Sequence, residues 1–446
     1  MQSEIRTLSY SNGEIQRFQV VRWDRWEDLN FLTPPHSPDA LDRFADIYRN
    51  YLVPAAPWLF GHMVMFRLPE DFSMVLPVRT QKHGTVASPL TSAAVVLQEG
   101  VAIHGAKPAF RNEIAKQLWY ELEAKNCIRI VSGKLPTTKI IPATNIPGYL
   151  SNAAQESAMR VNASFFIMDC FDCATVYDHV GTPFGLCVKD GKVLHPPLYN
   201  REALLVSKGG DVNIRHIDVK DLEIEIGGHH FRHGKNAFIY TRPGRSHAPG
   251  GKKAYLVITG CHVASVSKRA GAIPASGFVL CPYEDVEIPV GAQVTYHGLE
   301  EICFGIQVGN SILKNGIKTE RFESRFYNIR HLEPVPFPPS LYPMNFDRAR
   351  AARIALGADT EGKPMLLWAE GAAKIGYMPG QGSCGASLKE MAEICQQAGM
   401  KNAVNLDGGG SAQLLLGRQR KLQISDRNAE TLSEAERPIP LGLVIP

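Results

Sequence analysis

The stretch Asn405-Leu406-Asp407-Gly408-Gly409-Gly410-Ser411 places three consecutive glycines behind an aspartate, between two strand-like runs. Glycine loses more backbone entropy on folding than any other residue, so three in a row between apolar runs require a physical reason. One reason is close approach to a ligand, because successive exposed N–H groups form a concavity that holds an anion. Asp407 and Ser411 would add a carboxylate and a hydroxyl at its two ends. The alternative is an ordinary glycine-rich hairpin.

The clearest helix signal of the chain lies just before this loop. Ser387 and Glu390 have the spacing of a capping box, an apolar stripe follows them, and Gly399 marks the end. Val404-Asn405-Leu406 then has the pattern of a strand that leads into Asp407. The sequence therefore predicts a helix, a strand and then the glycine loop.

Further upstream the pattern is rich in short strands from about residue 125 onward. An Asp190-Gly191 dipeptide between two β-like runs predicts a hairpin there. The first hundred residues differ, because Ser37-Pro38-Asp39 has the pattern of a helix start. A second helix is predicted after Pro108, where apolar residues recur at helical spacing.

These patterns predict an α+β protein. We expect a large mixed β-sheet system with a few packed helices, preceded by a smaller, partly helical N-terminal region. The expected division is an N-terminal extension of unknown role over residues 1–110 and a domain carrying the site over residues 111–446.

Composition limits the classes of partner. The 446 residues are 44% hydrophobic and 21% charged, which is ordinary for a soluble globular protein. A net charge of +4 is small and scattered, so no nucleic-acid partner is expected. No apolar run approaches the roughly 18 residues that cross a bilayer, and the start has no secretory pattern, so we expect a cytoplasmic protein without a membrane partner. The oligomeric state is left open.

Metal and cofactor signals are weak. Cys170-Phe171-Asp172-Cys173 has CxxC spacing, but no second pair at zinc-finger spacing follows. His229 and His233 are four residues apart, yet flanking glycines argue against the helix that would bring them onto one face. The chain has no Gly-x-Ser-x-Gly sequence typical of serine hydrolases. We predict neither a metal nor a cofactor.

Seven short motifs, in order over roughly residues 125–446, resemble the phosphodiester glycosidase family. They are Arg160 to Phe166, Pro183 to Gly185, Gly305 to Asn310, Arg348 to Gly357, Ser387 to Ala392, Asn405 to Ser411, and Glu436-Arg437. The resemblance implies an enzyme that cleaves the anomeric C–O bond of a sugar-1-phosphodiester and releases free sugar and a phosphomonoester. Its implied partner is a sugar-phosphate small molecule or a phosphoglycan.

Such a reaction needs a carboxylate that activates water or stabilises an oxocarbenium-like centre. Asp407 is the leading candidate, because it follows a strand at the edge where side chains open toward a cleft; its alternative role is an Asx turn. Glu370 is the second carboxylate, against the alternative of a solvated strand end. The family usually has an acid, a glycine and often an arginine here, whereas this chain has Ala372 after Gly371. Another residue then takes over from that arginine, or the substrate differs in its outer part.

The reaction also needs donors around the phosphate and polar groups for the sugar. Arg353 and Arg437 match phosphate geometry better than lysine would, although Arg353 could instead form a structural salt bridge. Asn162 could bind sugar hydroxyls or a phosphate oxygen, or be a buried amide bonded to the backbone. The loop residues Gly408, Gly409, Gly410 and Ser411 complete the predicted binding set.

Two other functions compete with this one. A non-catalytic module could bind phosphoglycans or nucleotides through the same loop, and the changed residue Ala372 leaves this alternative open. A phosphodiesterase that breaks the P–O bond would need a two-metal carboxylate cluster, for which the sequence has no candidate.

Overall fold

The computed structural model describes residues 1–35, 148–167, 177, 182–198, 201–242, 245–319, 349–374, 376–428 and 430–446, and the backbone of five short strands between residues 75 and 130. The helices predicted near Ser37 and after Pro108 lie outside the described residues, as does the CxxC sequence at 170–173.

The described residues form 28 β-strands and one α-helix, α1, at Leu388–Gln397. The first strands are β1 Gln2–Ser9, β2 Ile15–Arg22, β3 Asn30–Leu32, β4 Val75–Thr80, β5 Gly84–Pro89, β6 Val95–Leu97, β7 Val101–Ile103 and β8 Ile128–Ile130. The next are β9 Met159–Asn162, β10 Cys187–Lys189, β11 Lys192–His195, β12 Arg201–Ser207, β13 Val212–Ile217, β14 Glu223–Ile226, β15 His229–Phe231 and β16 Ala237–Thr241. They are followed by β17 Tyr255–Thr259, β18 His262–Ser267, β19 Gly277–Pro282, β20 Val294–His297, β21 Ile302–Ile306, β22 Ser311–Lys314 and β23 Ile317–Lys318. The last are β24 Arg353–Asp359, β25 Pro364–Ala369, β26 Met400–Asn405, β27 Leu414–Leu416 and β28 Gly442–Ile445.

A seven-stranded antiparallel sheet in the order β1-β2-β25-β24-β26-β22-β23 forms the centre. Alternate residues of a strand point to opposite faces, and both faces are apolar here. On one face, Ile354, Leu356 and Trp368 belong to the larger hydrophobic core. On the other, Ala355 and Leu367 pack in the cluster that includes the apolar stripe of α1. Burial on both sides explains why β24 and β25 are apolar along almost their whole length.

Helix α1 begins and ends where the sequence predicted. Ser387 Oγ accepts a hydrogen bond from the Glu390 N–H, and Glu390 Oε2 accepts one from the Ser387 N–H, which is the reciprocal capping box. Gly399 follows the helix with φ +91°, a conformation that favours glycine. The helix then returns directly into β26, the strand that leads to the glycine loop.

A four-stranded sheet in the order β27-β9-β28-β3 lies on the other side of that loop. Its strand β9 ends at Asn162 and pairs antiparallel with β27 and β28. The loop after β26 therefore connects the central sheet to this second sheet, because β27 begins only three residues after Ser411.

The remaining strands form separate sheets. These are β11-β10-β21-β12-β13, β15-β14-β20, β16-β19-β17-β18, β4-β5 and β6-β7-β8. The predicted hairpin at Asp190-Gly191 is confirmed: it joins β10 to β11 with φ of +50° and +81° at these two residues.

The predicted α+β class is wrong in its emphasis, because the described part of the chain is mostly β-sheet with a single α-helix. The first 32 residues form three strands and a short 3-10 helix, Trp26–Asp28. Of these, β2 pairs with β25 and β3 with β28, so the start of the chain is built into the two sheets that flank the loop. Among the described residues, no helix has the length and apolar character needed to span a bilayer.

Candidate active site around Asp407

The loop after β26 is held by backbone hydrogen bonds to both neighbouring sheets. The Leu406 N–H donates to Ile354 O at 2.8 Å, and the Asp407 N–H donates to Ala163 O at 3.0 Å. Gly409 N–H donates to Ala352 O at 2.8 Å. Asp407 is thereby fixed at the junction of the two sheets.

The three glycines are required by packing and conformation. Gly409 has φ +61°, and it begins a short 3-10 turn, Gly409–Ser411. A Cβ on Gly408 would lie 2.7 Å from Ala352 O, and one on Gly410 would lie 2.1 Å from Arg437 Nη2. The Gly409 and Ser411 N–H groups donate within the protein, so the loop is not the row of exposed amides that the glycines alone suggest. Gly408 and Gly409 are the partly exposed members of the loop.

Asn162 ties β9 to this loop. Its Nδ2 donates to Asp407 O at 2.8 Å, and its Oδ1 accepts from the Gln413 N–H at 2.9 Å. The side chain is 1% exposed. These contacts match the alternative considered for Asn162, a buried amide bonded to the backbone, and they hold the two ends of the loop together.

The Asp407 carboxylate is buried, and this sets its acidity. Burial raises the pKa of Asp407 to about 6, while the Ser411 hydroxyl and the positive charges of Arg437 and Arg353 limit the rise. A carboxyl group with a pKa near neutrality can exchange a proton under physiological conditions, as general acids and bases do. The structure thus brings Asp407, Ser411, Arg353 and Arg437 together, as the sequence predicted.

Arg353 lies at the start of β24 and is 4% exposed. Its Nε donates to Ala386 O at 3.0 Å, and its Nη2 donates to Ala349 O at 2.8 Å. Its positive charge acts on Asp407. Carbonyl oxygens therefore fix this guanidinium beside the loop.

Arg437 forms a buried ion pair that the sequence did not predict. Its Nε lies 2.9 Å from Asp426 Oδ2 and its Nη2 lies 3.2 Å from Asp426 Oδ1. Lys374 Nζ lies 2.6 Å from the same Oδ1. Burial alone would raise the pKa of Asp426, but the two cations outweigh it and lower the pKa to about 2. Asp426 is therefore an anion that positions Arg437 at the wall of the loop.

Glu370 is buried within a set of hydrogen bonds. Arg17 of β2 donates to both carboxylate oxygens, Nε to Oε2 at 2.7 Å and Nη2 to Oε1 at 3.0 Å. Ser383 Oγ donates to Oε2 and the Gln423 N–H donates to Oε1 at 2.7 Å. A guanidinium thus does lie beside Glu370, but it comes from the N-terminal region rather than from position 372. Glu370 is not a solvated strand end, and these contacts describe an anion that joins three segments.

A polar cavity of about 260 Å³ lies near the strand that leads to Asp407. Arg201, Glu202, His216 and Lys314 line it together with Asn310. Arg201 Nη2 donates to Asn310 Oδ1 at 3.0 Å, and Lys314 Nζ donates to Glu202 Oε1 at 3.1 Å. Both cations are therefore already compensated by polar partners.

Comparison with known proteins connects this site to a family. The family model described as phosphodiester glycosidase matches residues 249–446, which include every predicted site residue except Asn162. A segment of 71 residues is 41% identical to mouse N-acetylglucosamine-1-phosphodiester alpha-N-acetylglucosaminidase. That segment is 16% of this chain and spans 12% of the mouse protein.

Three solved structures show distant similarity in shape. A hypothetical protein from Synechocystis matches with a TM-score of 0.40 and 16% identity, covering 99% of this chain and 61% of that one. The catalytic domain of the zebrafish N-acetylglucosamine-1-phosphodiester alpha-N-acetylglucosaminidase, auto-inhibited by its pro-peptide, has a TM-score of 0.34, 17% identity and 68% coverage of both chains. A putative exported protein from Burkholderia pseudomallei has a TM-score of 0.40 and 13% identity, covering 100% of this chain and 96% of that one.

The sequence and family comparisons agree on one family. The seven motifs spread over residues 125–446, and the family model covers the part from residue 249 to the end. The resemblance of this chain to the phosphodiester glycosidase family is thereby confirmed, over residues 249–446 by the family model and over 71 residues by the mouse relative.

Proposed function

We propose that this protein is a hydrolase that cleaves the anomeric C–O bond of a sugar-1-phosphodiester, releasing free sugar and a phosphomonoester. The observation that carries the proposal is the buried Asp407 carboxyl, whose pKa burial raises to about 6, beside two guanidinium groups in a segment that matches the phosphodiester glycosidase family. The class of substrate is part of the same proposal, because the segment that matches the mouse relative is only 12% of that protein.

Asp407 in its ionised form would supply the negative charge that the reaction needs. An oxocarbenium-like centre or an attacking water is stabilised by a carboxylate held in a partly dry site. With a pKa near 6, most Asp407 carboxyl groups are ionised at neutral pH. Because this pKa is close to the ambient pH, the carboxylate can also accept a proton from the attacking water. The activity should therefore increase as pH rises through about 6.

Arg353 and Arg437 would stabilise the leaving phosphate. A phosphomonoester is already a weak base, so positive charge near the departing oxygen matters more than protonation of it. Both guanidinium groups are positioned by other protein groups, Arg353 by carbonyl oxygens and Arg437 by Asp426. Such preorganised charge needs no rearrangement during the reaction, and loss of one donor typically costs about 2.7–4 kcal/mol of barrier.

The experiment that tests the proposal uses a nucleotide sugar, UDP-N-acetylglucosamine, in water enriched in ¹⁸O. Label in the released sugar supports C–O cleavage, whereas label in the phosphate would show P–O cleavage and overturn the proposal. Asp407→Asn should reduce turnover by a factor of at least about 100. The matched control is Asp211→Asn, an exposed aspartate in another loop, which should retain full turnover.

A non-catalytic binding module is the second candidate. Glu370, the predicted partner carboxylate, is fully engaged by Arg17, Ser383 and Gln423, and Ala372 stands where the family often has arginine. A site with one available carboxylate could bind a phosphorylated glycan or nucleotide without cleaving it. Saturable binding of UDP-N-acetylglucosamine without release of sugar would favour this function. The cytoplasmic location and the absence of nucleic-acid and membrane partners remain predictions.

A further inference from the structure

The outer face of the sheet β15-β14-β20 carries histidine and glutamate side chains. Along the central strand β14, Ile224 and Ile226 are buried, so Glu223 and Glu225 point outward. This face belongs to a different sheet from the one that leads to Asp407. It is therefore separate from the candidate active site.

Strand register brings two histidines onto this face from opposite sides. His230 of β15 lies directly opposite Glu225, and His297 of β20 lies directly opposite Glu223. Residues opposite or diagonal to each other across neighbouring strands are within side-chain reach. The central Glu225 is thus flanked by an imidazole on each side.

The three side chains converge. One ligand atom from each of Glu225, His230 and His297 lies within 4.8 Å of the other two. His297 Nε2 lies 2.8 Å from Glu225 Oε2, and the two imidazole rings have centroids 6.0 Å apart. The cluster is solvent-accessible, so an ion can enter from outside.

Each imidazole also faces a further carboxylate. His230 Nδ1 lies 2.9 Å from Glu223 Oε1, and His297 Nδ1 lies 3.5 Å from Glu300 Oε1. Arg232 pairs with the other oxygen of Glu223 and, with His230, lowers the pKa of Glu223. Metal-binding histidines usually donate their second N–H to a carboxylate in this way, which leaves the other nitrogen directed at the metal.

We propose that Glu225, His230 and His297 form a binding site for a divalent transition-metal ion of the Zn²⁺ type. Two imidazoles and one carboxylate with an open fourth position suit zinc, whereas Mg²⁺ and Ca²⁺ prefer oxygen ligands throughout. Ligand atoms around zinc lie about 3.4 Å apart for bonds of 2.0–2.1 Å. The His297–Glu225 pair, at 2.8 Å, opens slightly to reach that spacing and His230 adjusts around the ion, which exposed side chains achieve by rotation about their χ angles.

The site uses a different histidine pair from the one that sequence spacing suggests. His229 and His233 do not share a helix, because the segment forms the β14–β15 hairpin. His230 instead meets His297, which lies 67 residues further along the chain, so only strand pairing reveals the cluster.

The test is a calorimetric titration of the tag-free full chain with ZnCl₂ under reducing conditions. We expect one tight equivalent, and His230→Gln and His297→Gln should each weaken binding by more than about tenfold. His229→Gln, an exposed neighbour outside the cluster, is the matched control and should bind as the wild type does. Unchanged binding in both cluster variants, or no binding by the wild type, would overturn the proposal.

Two further measurements separate this site from adventitious metal binding by cysteine thiols. CoCl₂ should give the visible absorption spectrum of nitrogen and oxygen ligands, without a thiolate charge-transfer band, and alkylation of the thiols should leave binding intact. Glu223→Gln, which changes a positioning carboxylate and no ligand, should weaken binding by about 10–100-fold. Loss of binding on alkylation would assign the metal to cysteine and contradict the proposal.

Discussion

Arg437 and Asp426 form a two-pronged buried ion pair against the backbone of Gly410. The donor–acceptor distances are 2.9 Å for Nε–Oδ2 and 3.2 Å for Nη2–Oδ1. A Cβ at Gly410 would lie within 2.3 Å of atoms from both partners. The third glycine of the loop is therefore needed to make room for the ion pair that positions Arg437 beside Asp407.

Gly410→Ala should destabilise the protein by about 1–3 kcal/mol, because the added methyl group overpacks a site occupied by buried charges. The free energy of unfolding in urea measures this. Gly382→Ala is the control, since a Cβ there would meet nothing within 4 Å and its cost should stay within about 0.5 kcal/mol. Equal stability of the two variants would contradict the packing explanation.

The stability of Asp407→Asn relative to the wild type should increase as pH rises. Burial raises the pKa of Asp407 from its ordinary value of 3.8 to about 6, so the folded state favours the protonated group and loses stability as pH rises through this window. The wild type loses stability on the order of 2–3 kcal/mol in this way. The variant loses none of it, because asparagine does not ionise. Urea unfolding at pH 4 and pH 8 should show the variant gaining on the wild type between the two values. A pH-independent difference would mean that Asp407 is ionised without penalty.

Glu370→Gln should lower the free energy of unfolding, while turnover per folded molecule should change little. The carboxylate accepts charge-assisted hydrogen bonds from Arg17, and their loss typically costs about 1.5–3 kcal/mol. Arg17→Met leaves the buried Glu370 carboxylate without its cation, so it should destabilise the protein at least as much as Glu370→Gln does. Turnover of UDP-N-acetylglucosamine is then measured per folded molecule. A decrease of about 100-fold in Glu370→Gln alone would identify Glu370 as a catalytic partner instead.

Local signals in the sequence predicted local structure well. The capping box at Ser387 and Glu390 depends on hydrogen bonds three residues apart, and the Asp190-Gly191 turn depends on two backbone conformations. The loop at Asp407 was identified because three consecutive glycines are entropically costly to order, so their presence indicates a steric or conformational constraint. Such features are encoded within a few residues, so tertiary structure rarely changes them.

Pairings between distant segments were the part that sequence reasoning missed. Arg17 and Glu370 are 353 residues apart, and only the adjacency of β2 and β25 brings them together. The same strand pairing bears on the fold class, because the first residues complete a sheet whose other five strands lie between residues 311 and 405. Asp426 had no motif around it, so its role as the anion beside Arg437 required coordinates.

Asp426 should make the protein sensitive to acid in a defined range. Arg437 and Lys374 lower the pKa of Asp426 from its ordinary value of 3.8 to about 2, so the stability that this carboxylate contributes is present above about pH 4 and is lost as pH falls toward 2. Asp426→Asn leaves two cations without their buried anion and should cost about 3–5 kcal/mol at pH 6. The gap between wild type and variant, measured by urea unfolding at pH 6, 4 and 3, should narrow with acidification. Lys374→Met removes one of the two charges that lower the pKa of Asp426, so this pKa rises and the variant should lose less stability than the wild type as pH falls from 6 to 3. An equal loss in the two proteins would exclude Lys374 from setting the pKa of this carboxyl.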